Sequence, residues 1–207
     1  MSIPVLVMGK SGSGKSASLR NFAPDDVDIV NVIGKPLPFR NKFQNIFVTD
    51  DYAKVLAGVK QSKKKSIVID DAGYLITNEF MKNHAAGGGG NAVFTLYNNM
   101  ADHFWTLIEA IKALEDDKIV YLMMHEDQND FGAVKPKTIG KLLDDKVCIE
   151  GLFTIVIRSE KDGDRYVFRT RTTGLDVTKT PIGMFEEDTI DNDLKLVDDT
   201  IRNYYNA

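Results

Sequence analysis

Residues 9–16 read Gly-Lys-Ser-Gly-Ser-Gly-Lys-Ser, and the prediction of the fold starts from this stretch. Two glycines, a lysine and a hydroxyl residue stand here at the spacing of a phosphate-binding loop. Glycines permit the backbone angles that turn successive N–H groups toward one phosphate. In such a loop we expect Lys15 to reach the β- and γ-phosphates of a nucleotide and the Ser16 hydroxyl to bind Mg²⁺.

The residues on either side of the loop support this interpretation. Residues 3–8 are apolar and predict a short buried strand, and residues 17–22 predict a helix. A strand, a glycine-rich loop and a helix are the order in which phosphate loops occur, with the positive end of the helix near the phosphate. We therefore expect ATP to contact Gly9, Lys10, Ser11, Gly12, Ser13, Gly14, Lys15, Ser16 and Ala17.

Length and composition predict the class of protein. A chain of 207 residues with 43% hydrophobic residues suits one α/β domain over residues 1–207. The net charge of −4 argues against nucleic-acid binding over the whole surface and favours a local basic patch. Cys148 is the single cysteine, which excludes an intramolecular disulfide. No apolar run predicts a membrane span and no signal-peptide pattern is seen, so we expect a cytoplasmic protein without a membrane partner.

A second chemical motif follows an apolar run at residues 66–71, which read Ser-Ile-Val-Ile-Asp-Asp. In phosphate-loop proteins a parallel strand beside the first ends in an aspartate that holds the Mg²⁺ shell, and we assign Asp70 to this role with Ser16. Asp71 is a candidate for positioning the attacking water. An acidic turn without function is the alternative, and for Asp71 the two readings are nearly balanced.

His125 follows another predicted buried strand at residues 118–124. The carboxyl end of a parallel strand would place this side chain near the γ-phosphate, where it could sense or polarise that group. The alternative is a histidine that only caps the strand.

The rest of the chain predicts alternating strands and helices, the pattern of a mostly parallel sheet with helices on its faces. Residues 74–91 read as an irregular segment that ends in a mobile glycine-rich loop. Asp193, Asp198 and Asp199 lie on a polar helix face that we expect to be solvated. Strands are expected at residues 27–33, 152–157 and 166–171, the last two as a hairpin, and helices at residues 50–59, 93–114 and 194–204.

These motifs resemble the RecA-like division of P-loop ATPases. Nearly the whole chain is similar to small ATP-binding proteins of bacteriophages that are related to phage single-strand annealing and recombination proteins. The resemblance implies a RecA-like fold that binds ATP and Mg²⁺, hydrolyses ATP, assembles into a ring or filament, and acts on single-stranded DNA in phage recombination or replication. The stretches that carry it are residues 9–16, 67–71, the strand before His125, 139–141 and 179–185.

One departure from the family concerns residues 31–35, which read Asn-Val-Ile-Gly-Lys. RecA-like recombinases place a water-orienting glutamate near this point, and no carboxylate stands here. Either Asp71 takes that role or hydrolysis is slow. Binding would remain largely intact, because positioning and electrostatics supply most of phosphoryl-transfer catalysis.

The resemblance also implies a DNA contact. Loops at the carboxyl edge of RecA-like sheets face the polymer axis, so the basic loop of residues 135–141 is a candidate for contacts to backbone phosphates. Such contacts give affinity with little sequence preference and strong salt sensitivity. A merely solvated loop is an equally good reading. The lysines concerned are Lys135, Lys137 and Lys141.

A neighbouring subunit is expected to complete the γ-phosphate site. RecA-like cores commonly receive a cation in trans that stabilises the charge on the transferred group. An exposed hairpin with surface charges is the alternative reading for these residues. The candidates are Arg169, Arg171 and Lys179.

Two other functions stay open. A nucleotide or nucleoside kinase shares the phosphate loop but needs an acceptor pocket and usually an arginine-rich lid. The arginines of this chain are concentrated late, which disfavours a kinase. A nucleotide-gated binding module that hydrolyses little ATP is favoured by the missing glutamate at residues 31–35.

Overall fold

The protein is built on one mixed sheet, and the computed structural model describes residues 2–86, 91–114 and 117–206. In chain order the elements are β1 (Ile3–Gly9), a 3-10 helix (Ser16–Asn21), β2 (Val27–Asn31), β3 (Ile46–Val48), α1 (Tyr52–Gln61), β4 (Ser66–Asp70), α2 (Gly73–Asn83), a second 3-10 helix (His84–Ala86), α3 (Asn91–Lys112), β5 (Ile119–Gln128), β6 (Val134–Pro136), α4 (Lys141–Asp144), a third 3-10 helix (Glu150–Leu152), β7 (Ile155–Asp162), β8 (Arg165–Arg169), β9 (Thr189–Asp191) and α5 (Leu194–Asn206).

The strands are arranged in the order β3-β2-β4-β5-β1-β7-β8-β9, with β6 paired to β5. All neighbours from β3 to β7 are parallel, whereas β8 and β9 are added in antiparallel pairs. The predicted α/β class, the mostly parallel sheet and the late hairpin are thus confirmed. One placement was wrong: β4 is not beside β1, because β5 lies between them.

The core lies on both faces of the sheet, which is why its central strands are almost continuously apolar. Side chains alternate along β1, as a strand requires. Leu6 and Met8 belong to the cluster that packs under α2 and α3. Val5 and Val7 belong to the opposite cluster, which includes residues of α5. Among the described residues, no helix combines the length and the apolarity needed to cross a membrane.

Two predicted segments differ from the structure. The helix expected after the phosphate loop is a six-residue 3-10 helix, and Phe22 is already extended. Pro24 explains this early end, because a proline restricts the residue before it and removes a backbone donor. The segment at residues 74–91, predicted to be irregular, begins instead within α2. The mobile loop expected at residues 87–90 lies outside the described residues.

Candidate functional site

The loop of residues 9–16 leaves β1 at the carboxyl edge of the sheet and needs its glycines. A Cβ on Gly9 would lie 2.3 Å from the carbonyl oxygen of Ser159 and 2.5 Å from Oγ of Ser13. Gly14 has φ of +99°, a conformation that side chains rarely adopt. The tight approach and the left-handed backbone together give the loop its concave shape.

The loop contains polar groups that have no hydrogen-bond partner in the described part of the chain. The backbone N–H groups of Gly14, Lys15 and Ser16 have no acceptor among the described residues. The Oγ atom of Ser13 is buried and also lacks a partner within that part of the chain. Backbone and side-chain polar groups are normally hydrogen-bonded, so such a cluster of donors is suited to an anion.

Lys15 supplies the positive charge of the loop. Its side chain is buried, and Nζ donates to the carbonyl oxygens of Gly9 at 2.7 Å and Lys10 at 2.9 Å. Burial lowers the pKa of Lys15 to about 8, although the negative charges of Asp71 and Asp70 oppose this effect. An anionic ligand would favour the protonated amine and relieve the strain of burying it.

Ser16 and Asp70 form the second part of the site. The Ser16 hydroxyl donates to Oδ1 of Asp70 at 2.9 Å, although β4 is separated from β1 by another strand. Burial, followed by the charge of Asp71, raises the pKa of Asp70. The described residues contain no group of three or more histidine, cysteine or acidic side chains that could hold a metal alone. A hydroxyl and a carboxylate do fit Mg²⁺, which usually takes few protein oxygens and completes its shell with phosphates and water.

Asp71 lies next to this pair in an unusual conformation. Its φ of +59° is left-handed, a conformation that is uncommon outside glycine. Nζ of Lys35 lies 3.1 Å from Oδ2, and Nε2 of His125 lies 3.4 Å from Oδ1. Burial raises the pKa of Asp71, but the hydrogen bonds from His125 and Lys35 outweigh it and hold that pKa below its ordinary range.

His125 is held opposite the loop by the sheet itself. In the parallel register of β1 and β5, Gly9 is paired with His125. The ring also lies edge-on to Tyr74, with centroids 6.0 Å apart. His125 therefore lies at the carboxyl edge as predicted, although β5 continues beyond it to Gln128.

Two cavities meet at this edge. One has a volume of about 330 Å³ and is lined by the phosphate loop together with Lys35, Asp71, His125 and Tyr166. The other has a volume of about 510 Å³. The two share three lining residues, so a ligand in one would lie beside a ligand in the other. The shared residues are Ser11, Lys35 and His125.

Sequence reasoning did not assign three residues of the first cavity to the site: Lys35, Pro38 and Tyr166. Lys35 and Pro38 lie in the connection that follows β2, whose carboxyl end is at the edge where site residues were expected. Tyr166 was counted as a hairpin residue. A Cβ on Gly14 would lie 3.0 Å from the Tyr166 ring, so the ring forms a wall against the loop.

The late cations lie elsewhere and have partners within the chain. Arg169 donates to Glu160 across the β7–β8 pair, and Arg171 donates to Asp188. The backbone of Lys179 pairs with Val156. The residues that line the two cavities do not include any of these three cations.

The three lysines of the basic loop differ in their surroundings. Lys137 lines the larger cavity, whereas Nζ of Lys135 is bonded to Asp144 and Lys141 begins α4. The hydrogen bond from Lys135 to Asp144 raises the pKa of Lys135. Of the three lysines, Lys137 is the one that lines either cavity.

The structure brings Lys15 and Ser16 of the loop together with Asp70 and Asp71 at the end of β4 and with His125 of β5. No protein-family model matches the chain, and no curated protein is similar to it at a significant level.

Proposed function

We propose that the protein binds ATP with Mg²⁺ at residues 9–17 and hydrolyses it, in association with single-stranded DNA. The observation that carries the proposal is the phosphate loop itself. Three consecutive backbone N–H groups without acceptors among the described residues lie beside a buried lysine, and a serine–aspartate pair follows directly. This combination supports binding of a charged phosphate chain together with a hard cation.

The remaining groups of the smaller cavity support a whole nucleotide. Tyr166 is 46% exposed and offers an aromatic face beside Gly14, on which a base could stack. Ser16 and Asp70 would hold Mg²⁺, which withdraws charge from the phosphates when it is bound. Asp71 is the next carboxylate along the edge and is the candidate for orienting the attacking water. His125 fixes one oxygen of Asp71 and is close enough to the loop to approach a γ-phosphate.

The larger cavity supports a polyanionic partner. Lys10, Lys35 and Lys137 line it, together with Tyr74. The acidic member of the lining, Glu126, is paired with Arg158 through two hydrogen bonds. Tyr74 is partly buried, and lysines near an accessible aromatic ring are typical of surfaces that bind single-stranded nucleic acid without sequence preference.

We include self-assembly in the proposal, with cations of one copy acting on the γ-phosphate bound by another. This role requires the two arginines to exchange their present ion-pair partners. Arg169, Arg171 and Lys179 could act on the γ-phosphate only from a neighbouring copy, and both arginines would first have to leave acidic residues of their own chain. Mixing Lys15→Ala subunits with subunits in which the three cations are alanine tests this role. Recovery of activity in the mixture supports it, and a mixture as inactive as its parts, with assembly demonstrated, contradicts it.

A phosphotransferase is a second candidate, because the larger cavity shares three residues with the phosphate-loop cavity. An acceptor hydroxyl bound there would lie beside the γ-phosphate. The same arrangement would allow water to attack when no acceptor is bound, so only the product distinguishes the two activities.

Thin-layer analysis of γ-labelled ATP tests the proposal. The protein is incubated with Mg²⁺ alone, with single-stranded thymidine oligonucleotide, and with a panel of nucleosides and nucleotides. We expect release of inorganic phosphate that increases with DNA and is absent in Lys15→Met. Label in a nucleotide acceptor would favour the kinase instead. Failure of the wild-type protein to bind ATP would contradict both candidates.

A further inference from the structure

We infer that Lys35 recognises the γ-phosphate, so that the site distinguishes a nucleoside triphosphate from a diphosphate. In the structure Lys35 is paired with Asp71. When a triphosphate binds, Lys35 would leave this carboxylate and pair with the γ-phosphate. The inference deepens the proposed function and depends on nucleotide binding at the phosphate loop.

The backbone of Lys35 is anchored beside the site. Asn31 is 5% exposed at the end of β2, where it is paired in register with Asp70. Its side chain accepts the N–H of Gly34 at 2.8 Å and donates to the carbonyl oxygen of Lys35 at 2.6 Å. Gly34 turns the chain with φ of +68°. One buried amide thus fixes the point from which the lysine side chain starts.

The side chain of Lys35 is largely exposed beyond this fixed point, although Nζ is paired with Asp71 and lies 6.0 Å from the centroid of the Tyr74 ring. It is 60% exposed, whereas its partner Asp71 is 9% exposed. The residues lining both cavities include Lys35. A short swing of an exposed four-carbon chain can therefore exchange the carboxylate of Asp71 for a phosphate oxygen in the smaller cavity.

Lys15 and Lys35 both line the smaller cavity. Burial is the main cause of the low pKa of Lys15, and the positive charge of Lys35 adds a smaller contribution. The two ammonium groups therefore repel each other, although the charges of Asp71 and Asp70 oppose this effect on Lys15. A phosphate between them would replace this repulsion with two attractive charge-assisted contacts.

Two other cations near the loop are held by hydrogen bonds to backbone carbonyl oxygens. Lys15 is buried in the loop and bonded to two carbonyl oxygens. Nη1 of Arg20 donates to the carbonyl oxygen of Asn192 at 2.6 Å. Because Lys35 is exposed and lines the cavity from the connection after β2, it would meet the last phosphate of the chain, whereas the loop would hold the phosphates before it.

The test compares affinities for a non-hydrolysable triphosphate, β,γ-imido-ATP, and for ADP, both with Mg²⁺, by titration calorimetry. Lys35→Met keeps the apolar stem and removes the charge. We expect it to weaken triphosphate binding about 10-fold, the loss of one charge-assisted contact, and ADP binding less than about 2-fold. Lys35→Arg should keep most of the preference. Lys42→Met is the matched control, because Lys42 is exposed in the same connection and does not line the phosphate-loop cavity.

The outcomes separate this inference from the proposed function. If the wild-type protein binds nucleotide, Lys15→Met abolishes binding, and Lys35→Met weakens both ligands equally or neither, the proposed function stands and the role of Lys35 is refuted. If the folded wild-type protein binds neither ligand, both are refuted. Selective loss of triphosphate affinity in Lys35→Met, with Lys42→Met unchanged, supports the inference.

Discussion

Two clusters of buried charge lie at opposite ends of the same strands, and one of them is closed whereas the other is open. At the amino end of β4 and β5, the Asp198 carboxylate of α5 accepts hydrogen bonds from three side chains. The donors are Ser66 at 2.8 Å, Tyr121 at 3.0 Å and Arg202 at 2.9 Å. At the carboxyl end of β4, Asp70 has Ser16 as its side-chain donor, and the adjacent Asp71 adds a like charge.

The two clusters differ in how completely their carboxylates are hydrogen-bonded. A buried carboxylate with several donors is satisfied within the fold and ties α5 to the sheet. A buried carboxylate beside a second carboxylate, with a desolvated lysine nearby, is held at the expense of stability. A cation and a phosphate would complete the open cluster. The same residue types thus stabilise the protein at one edge, and under the proposed function they bind a ligand at the other.

Replacing Asp198 should produce the largest effect. Asp198→Ala leaves Arg202 and two hydroxyl groups without their shared acceptor, and we expect the free energy of unfolding to fall by about 3 kcal/mol. Urea unfolding followed by circular dichroism measures the loss. Asp199→Ala is the control, since Asp199 is exposed and is paired with Lys195 in the same helix. A loss of similar size in Asp199→Ala would contradict the special role of the closed cluster.

Replacing Lys15 should weaken ligand binding strongly and should not lower the stability of the fold. Lys15→Met should weaken ATP binding about 100-fold or more, because the phosphates lose their buried charge partner. The free energy of unfolding should stay equal or rise, since a lysine whose pKa is lowered by burial is less favourable when charged in the fold than in the unfolded chain. Nucleotide titration and urea unfolding on one preparation measure both. A marked loss of stability would show that the hydrogen bonds of Lys15 to Gly9 and Lys10 stabilise the loop.

The two adjacent aspartates should respond differently. Asp70→Asn removes a carboxylate whose pKa is raised by burial and by Asp71, so the midpoint of thermal unfolding should increase. The same change should reduce the Mg²⁺ dependence of ATP affinity by about 10-fold. Asp71→Asn should keep binding and lower turnover, and asparagine tolerates the left-handed backbone there. Full turnover in Asp71→Asn would mean that another group orients the water.

The open cluster could be predicted largely from sequence because its signals are local. Residues 9–16 fix their own loop, and an apolar run that ends in Asp70 marks the carboxyl end of a strand. The insertion of β5 between β1 and β4 has no such local signal. Lys35 was missed for a related reason: its position depends on the register that pairs Asn31 with Asp70.

The closed cluster could not be predicted in the same way. The acidic face of α5 was expected to be solvated, and for Asp198 this was wrong: the residue is 3% exposed. Its partners Ser66 and Tyr121 stand 132 and 77 residues away in the chain. Helical periodicity places Asp198 on a polar side of α5, but it contains no information about the strand ends against which that side packs.

The last prediction concerns alkaline pH and has the smallest effect. Burial, with a contribution from the charge of Asp198, raises the pKa of Tyr121 well above its ordinary value of 10.0. Tyr121 therefore stays protonated in the folded protein, whereas it ionises near pH 10 in the unfolded chain. The stability that this difference provides is complete below pH 10 and is lost as the pH rises, by about 1.4 kcal/mol per pH unit for one group.

Two variants test this prediction, Tyr121→Phe and Tyr52→Phe. Tyr121→Phe should lower the free energy of unfolding at pH 8 by about 1 kcal/mol, the value of its hydrogen bond to Asp198, and the wild-type and variant curves should converge between pH 10 and 11. Burial likewise raises the pKa of Tyr52, but its hydroxyl has no hydrogen-bond partner among the described residues. Tyr52→Phe should therefore reduce the alkaline loss without a penalty at pH 8. Urea unfolding at pH 8, 10 and 11 measures the stability of both variants. If stability falls with pH equally in Tyr121→Phe and in the wild type, Tyr121 ionises in the folded protein and water reaches the closed cluster.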